Sequence, residues 1–155
     1  PATPPDRLVN RRTYLGPDHP DSIESMYALA RALHDSEEMT DASSVYERVH
    51  RLQKRTLGPG HVETLKTLCN LARVRRACGR GEEALSACDE AVSAGTDALG
   101  DEDHPYVLEM KMIRAAVLRE LGRTREGYVA FGELVRRAAA GGEGDDSDSG
   151  WLVKR

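Results

Sequence analysis

A chain of 155 residues, 39% hydrophobic and 31% charged, is long enough to bury roughly two thirds of its unfolded surface in a single domain. Its formal net charge of -4 argues against a general nucleic-acid binder, and no run approaches the ~20 apolar residues a membrane span requires. The Pro-rich start, Pro1-Ala2-Thr3-Pro4-Pro5-Asp6, lacks the apolar stretch of a signal peptide, so a soluble cytoplasmic protein is expected, with neither nucleic acid nor membrane as partner.

Residues 1–14 open on Pro1 and carry a helix-like run, Arg7-Leu8-Val9-Asn10-Arg11-Arg12. They read as the end of a partial preceding repeat in a processed or excised chain. From there the sequence is periodic. Leu15-Gly16-Pro17-Asp18-His19-Pro20 returns as Leu57-Gly58-Pro59-Gly60-His61 and as Leu99-Gly100-Asp101-Glu102-Asp103-His104-Pro105, its Leu-Gly recurring every 42 residues. A period of this size signals stacked helical hairpins, here over 15–56, 57–98 and 99–140.

The first helix of each unit, A, carries an apolar stripe at three- and four-residue steps: Ile23, Met26, Leu29, Ala30 and Leu33, then Leu65, Leu68, Leu71, Ala72 and Cys78. Asp18, Gly60 and Asp103 are the expected N-caps, with Pro20 and Pro105 in first turns, where a missing N–H leaves nothing unpaired. Asp21 and Glu63 suit the positive end of the helix dipole. Gly79 and Gly122 stop helix A by taking the left-handed conformation that a Cβ opposes. In the first unit Asp35-Ser36-Glu37-Glu38 must turn without a glycine.

The second helix, B, has its own stripes: Ala42, Val45, Tyr46, Val49 and Leu52; Ala84, Leu85, Cys88, Ala91 and Val92; and Phe131, Leu134, Val135 and Ala138. Gly58 and Gly100 end it. Small residues recur where the two helices should approach most closely, at Ala30, Ala72 and Ala115 on A and at Ala42, Ala84 and Gly127 on B. Gly95 predicts a kink or fraying in the middle helix B. Gly122 lies 43 residues after Gly79, and with Val107, Met110 and Ile113 set 42 after Leu65, Leu68 and Leu71, the third helix A should be one residue longer.

Cys69, Cys78 and Cys88 are an odd set without metal spacing and read as reduced structural thiols. Residues 141–155 form an acidic, Gly-rich tail, expected to be disordered, that ends in Trp151-Leu152-Val153-Lys154-Arg155. Sharper chemistry is not found. Gly79-Arg80-Gly81-Glu82-Glu83-Ala84 has the letters of a dinucleotide fingerprint but follows a helix. Asp145 to Gly150 begins like a calcium loop that lacks its twelfth position. His19, His61 and His104 fall one per unit and read as turn residues. No catalytic residue, metal or cofactor is expected, and the chain is read as a non-enzyme.

The Leu-Gly-Pro-Asp-His-Pro-Asp spacer, Leu-Cys-Asn-Leu-Ala at 68–72 and Gly-Arg-Gly-Glu-Glu-Ala at 79–84 resemble the kinesin-light-chain type of tetratricopeptide repeat, over about residues 7–140. The resemblance implies an all-α, right-handed superhelix of about three antiparallel helix pairs plus a partial N-terminal helix. Its concave wall, made mainly of A helices, would hold a partner's peptide, and Asn70 sits where the family binds the peptide backbone. Ala28 and Ile113 or Arg114 stand there in the other units.

Helix A positions off the apolar stripe also include Glu24, Cys69, Glu109, Met112 and Ala116; the candidate groove residues are Tyr27, Arg31, His34, Lys66, Asn70, Arg73, Arg76 and Arg119. The arginines make the middle of the wall cationic and favour an acidic partner through forked guanidinium bonds. The alternative is that they are solvated surface residues paired along their own helices. At the level of the whole chain the rival to a scaffold is a regulatory or sensor fragment of a multidomain, nucleotide-switched protein. Three repeats leave an end that a second copy could cover, giving a homo-oligomer. The acidic, Trp-bearing tail is similar to the cargo peptides of this family, and reads either as a pseudo-ligand for the groove or as a linker with an apolar end.

Overall fold

The computed structural model describes residues 15–141. Each predicted stripe folds as a helix: α1 (Pro20–Asp35), α2 (Met39–Thr56), α3 (Val62–Ala77), α4 (Gly81–Leu99), α5 (Pro105–Glu120) and α6 (Thr124–Gly141). There is no strand among the described residues. Helices α1, α3 and α5 are the A helices and α2, α4 and α6 the B helices. Each helix packs on the next along the chain, and α3 also touches α5 directly. The result is an all-α repeat stack. Residues 1–14, expected to be a partial repeat, and 142–155 of the expected tail lie outside the described residues, and α6 continues to Gly141.

The small residues sit at the helix crossings. Ala30, Ala42, Ala72 and Ala84 have no exposed surface, and a Cβ on Gly127 would meet the Ala115 carbonyl oxygen at 3.0 Å. Larger side chains there would force the pair apart at about 1–3 kcal/mol. Around these crossings pack Tyr46, Leu65, Leu68, Leu71, Met110 and Leu118, which form the core.

The A-helix caps are not Asp18, Gly60 and Asp103. The role falls to the following residue: Nδ1 of His19, His61 and His104 accepts from the backbone N–H of Asp21, Glu63 and Tyr106 at 3.2, 3.2 and 3.3 Å. Each histidine has an extended ψ between 136° and 140°. From that backbone the ring nitrogen reaches two residues on, as an Asx oxygen would, so the recurring histidine satisfies one of the orphan donors at the helix start.

All three A–B turns share one hydrogen-bond pattern. The N–H groups of Glu37 and Glu38 donate to the carbonyls of His34 and Leu33, as those of Gly79 and Arg80 do to Arg76 and Arg75. This is the Schellman closure, which needs a left-handed residue. Lacking glycine, the first unit puts Glu37 there, at φ 62° against 73° for Gly79.

The odd residue of the third unit does not lengthen its A helix, since α1, α3 and α5 are each 16 residues. It lies in the loop between Leu99 and His104, where one more residue costs little closure entropy; inside a helix it would rotate the apolar stripe off the core. Nor does Gly95 fray α4, which runs through it. A Cβ there would come 2.9 Å from Val107 Cγ2 and 3.5 Å from Leu65 Cδ1, so the missing side chain lets α5 approach. Finally, the stripe predicted to bury Phe131 and Val135 leaves both half exposed. Helix α6 has its apolar face, but no described element covers it.

Candidate functional site

The candidate wall joins side chains of the three A helices. Tyr27 of α1 lies edge-on to the buried Tyr46 ring, with centroids 5.9 Å apart. That leaves its hydroxyl free to reach across to the next unit, where Asn70 Nδ2 donates to it at 2.9 Å. Lys66, one turn before Asn70, holds its Nζ 5.5 Å from the Tyr27 ring centroid. Arg73 donates to Asn70 Oδ1 at 3.4 Å, and its other arm pairs with Glu109 of α5. A continuous polar chain thus crosses three A helices, from Tyr27 through Asn70 and Arg73 to Glu109.

Beside this chain opens a groove of about 690 Å³, lined by Tyr27, Arg31 and Lys66 with Ile23, Ala28 and Leu57 as apolar surface. Arg31 has no ion pair among the described residues. Lys66 has only a loose one, 3.8 Å from Glu63. Glu24 and Glu63 also border the groove, so its rim carries both signs.

The remaining expected residues lie elsewhere. His34 is half-buried, its ring edge-on to Tyr46 with centroids 6.4 Å apart. Arg76 makes a forked pair with Glu120, its Nε donating at 2.9 Å to both oxygens. These bonds, donated by Arg76 and accepted by the Glu120 carboxylate, raise the guanidinium pKa further and lower that of Glu120. Arg119 stands 5.9 Å from the Tyr128 centroid. Cys69 turns inward, 2% exposed, and burial pushes its thiol pKa up to about 12; it is neither a wall residue nor a thiolate nucleophile at neutral pH.

The cationic wall is therefore largely balanced from within. Arg73 and Arg76 pair across repeats, with Glu109 and Glu120, and not along their own helix. Glu120 was missed from the sequence. Its signal is spacing: partners 36 and 44 residues away lie close to one repeat length, which sets two A helices side by side. Both pairs are substantially exposed, so each contributes little, at most about 1 kcal/mol.

Tetratricopeptide-repeat family profiles match residues 27–77 and 64–106. The plant protein named kinesin light chain-related 2, from Arabidopsis thaliana, is 31% identical over 87 residues, covering 56% of this chain and 13% of that protein. The fold matches the nearly identical TPR-like repeats assigned to a kinesin light chain of Podosopora anserina, with a TM-score of 0.79 at 25% identity over 92% of this chain and 66% of that one. It also matches BtubC (BKLC) of P. vanneervenii, with a TM-score of 0.75 at 13% identity over 96% of this chain and 60% of that one. The chain thus spans a small part of the plant relative and under two thirds or about two thirds of the solved repeat structures.

Proposed function

Because the chain belongs to the tetratricopeptide repeats of the kinesin-light-chain type, we propose that it is a protein-interaction scaffold whose A-helix wall takes an extended, acidic segment of a partner. The observation that carries this reading is the cluster of Tyr27, Lys66, Asn70 and Arg73 on one wall, beside an open groove with Arg31 at its edge. Asn70 is the hinge of recognition. Its amide pairs with Tyr27 and Arg73 in the free wall and can exchange those partners for a peptide N–H and C=O, the donor and acceptor an extended backbone presents. Arg31 and Lys66 then meet carboxylates, while Ile23, Ala28 and Leu57 take the apolar positions between them. An open groove suits an extended chain better than a small molecule, which needs most of its surface enclosed.

The test is fluorescence anisotropy with a labelled acidic peptide and its twin in which every Asp and Glu is replaced by Asn and Gln. The acidic peptide should bind more tightly, with an affinity that falls as salt rises. Arg31→Glu should weaken it by about tenfold or more, the loss expected for one charge-assisted hydrogen bond of about 1.5–3 kcal/mol. Equal binding of both peptides, or an unchanged affinity for the Arg31→Glu chain, overturns the reading.

A further inference from the structure

Helix α6 repeats the face of α4 without the neighbour that covers it. At an offset of 43 residues, Leu85, Cys88 and Val92 of α4 correspond to Tyr128, Phe131 and Val135 of α6, and one unit earlier Cys88 corresponds to Tyr46. Tyr46 and Cys88 are both fully buried, whereas Phe131 is 50% exposed. Tyr128 and Val135, on the same stripe at one- and two-turn spacing, are 62% and 51% exposed. The repeat itself thus marks this stripe as a surface built to be covered.

We infer that its occupant is the chain's own apolar tip, Trp151-Leu152-Val153. Three observations point to it. The first is reach: nine residues, 142–150, separate the end of α6 from the tip, and three of them are glycine. At up to about 3.3 Å per residue nine residues can span about 30 Å, and Phe131 lies about 15 Å back along the helix from Gly141. The second is charge. The linker carries Glu143, Asp145, Asp146 and Asp148 and no basic residue, while α6 displays Arg125 and Arg136, neither with an ion pair among the described residues. Arg136 follows Val135 directly, which places a cation beside the stripe. The third is shape and chemistry: an indole laid on Tyr128, Phe131 and Val135 removes large apolar surfaces from water on both sides, and aromatic pairs gain beyond area alone. This reading is independent of what binds the A-helix wall.

Trp151 is the only tryptophan, so the intrinsic fluorescence of the intact chain reports the tip directly. The expected result is a blue-shifted emission and a severalfold reduction in acrylamide quenching relative to the urea-unfolded chain, both unchanged on dilution. Phe131→Ser should return the emission and quenching to those of free indole with circular dichroism unaltered. Val129→Ser, on the exposed position corresponding to Ser86, should do nothing. Free-indole emission in the unmodified chain overturns the proposal. So does a blue shift that fades on dilution, which assigns the stripe to a second copy. So, too, does release of the indole by Arg31→Glu and not by Phe131→Ser, which moves the tip to the wall.

Discussion

Glu37 is the position where the fold uses a residue against its conformational preference, and replacing it with glycine should stabilise the chain. The backbone there is left-handed, φ 62°, in a turn whose counterparts are Gly79 and Gly122 at 73° and 77°. An L-residue in this conformation loses about 1–2 kcal/mol to the Cβ–carbonyl clash. Glycine removes that strain but gives up about 0.4–1 kcal/mol more chain entropy on folding, so Glu37→Gly should gain about 1 kcal/mol net. The Glu37 side chain is exposed, with no side-chain partner among the described residues, so no contact is lost. For a chain of this size the gain corresponds to about 2–4 °C in melting temperature, followed by far-UV circular dichroism. Gly79→Ala is the mirror experiment. Nothing lies within 4 Å of a Cβ at Gly79, so packing is untouched and the backbone strain alone should lower stability by about 1–2 kcal/mol. If Glu37→Gly destabilises, or Gly79→Ala is neutral, the turns are not governed by the left-handed requirement.

The histidine caps make a second prediction. His61→Ala should lower stability in urea unfolding by about 1 kcal/mol while His61→Asn should not, and equal losses in the two variants would show that the ring nitrogen does no capping. A third concerns pH. His50 is 8% exposed; burial holds its pKa below the ordinary 6.5, against the opposing pull of Glu90, 3.4 Å away, and with help from Lys54 and Arg75. Because the unfolded chain takes up this proton first, stability is whole above the unfolded-state pKa of about 6.5 and declines as pH falls below it. The urea midpoint should therefore drop between pH 7 and pH 5, and His50→Gln should flatten that drop. An identical slope in the variant removes His50 as its source.

Local information determined most of this molecule. Where each helix lies follows from stripes at 3.6-residue spacing, and the small residues at positions such as Ala72 and Ala84 mark the crossings, because periodicity and side-chain volume are properties of the chain itself. The left-handed turns were equally legible at Gly79 and Gly122. At Glu37 the requirement was legible but its solution was not, since the Schellman hydrogen bonds impose the conformation on whatever residue stands there. The histidine caps escaped because imidazole lies outside the usual capping set, although its recurrence at the head of each A helix was in plain view.

What tertiary structure alone decided is which neighbour each surface meets. Arg73 and Arg76 look like free cations until α5 is laid beside α3 and brings Glu109 and Glu120 to them. Gly95 looks like a weak point until α5 crosses it with Val107. Phe131 carries the same pattern as the buried Cys88, yet stands exposed because no described helix follows α6. A period in sequence records which face of a helix is apolar; only the packed stack determines whether anything lies against that face, since charge compensation and burial depend on distances between residues one repeat apart.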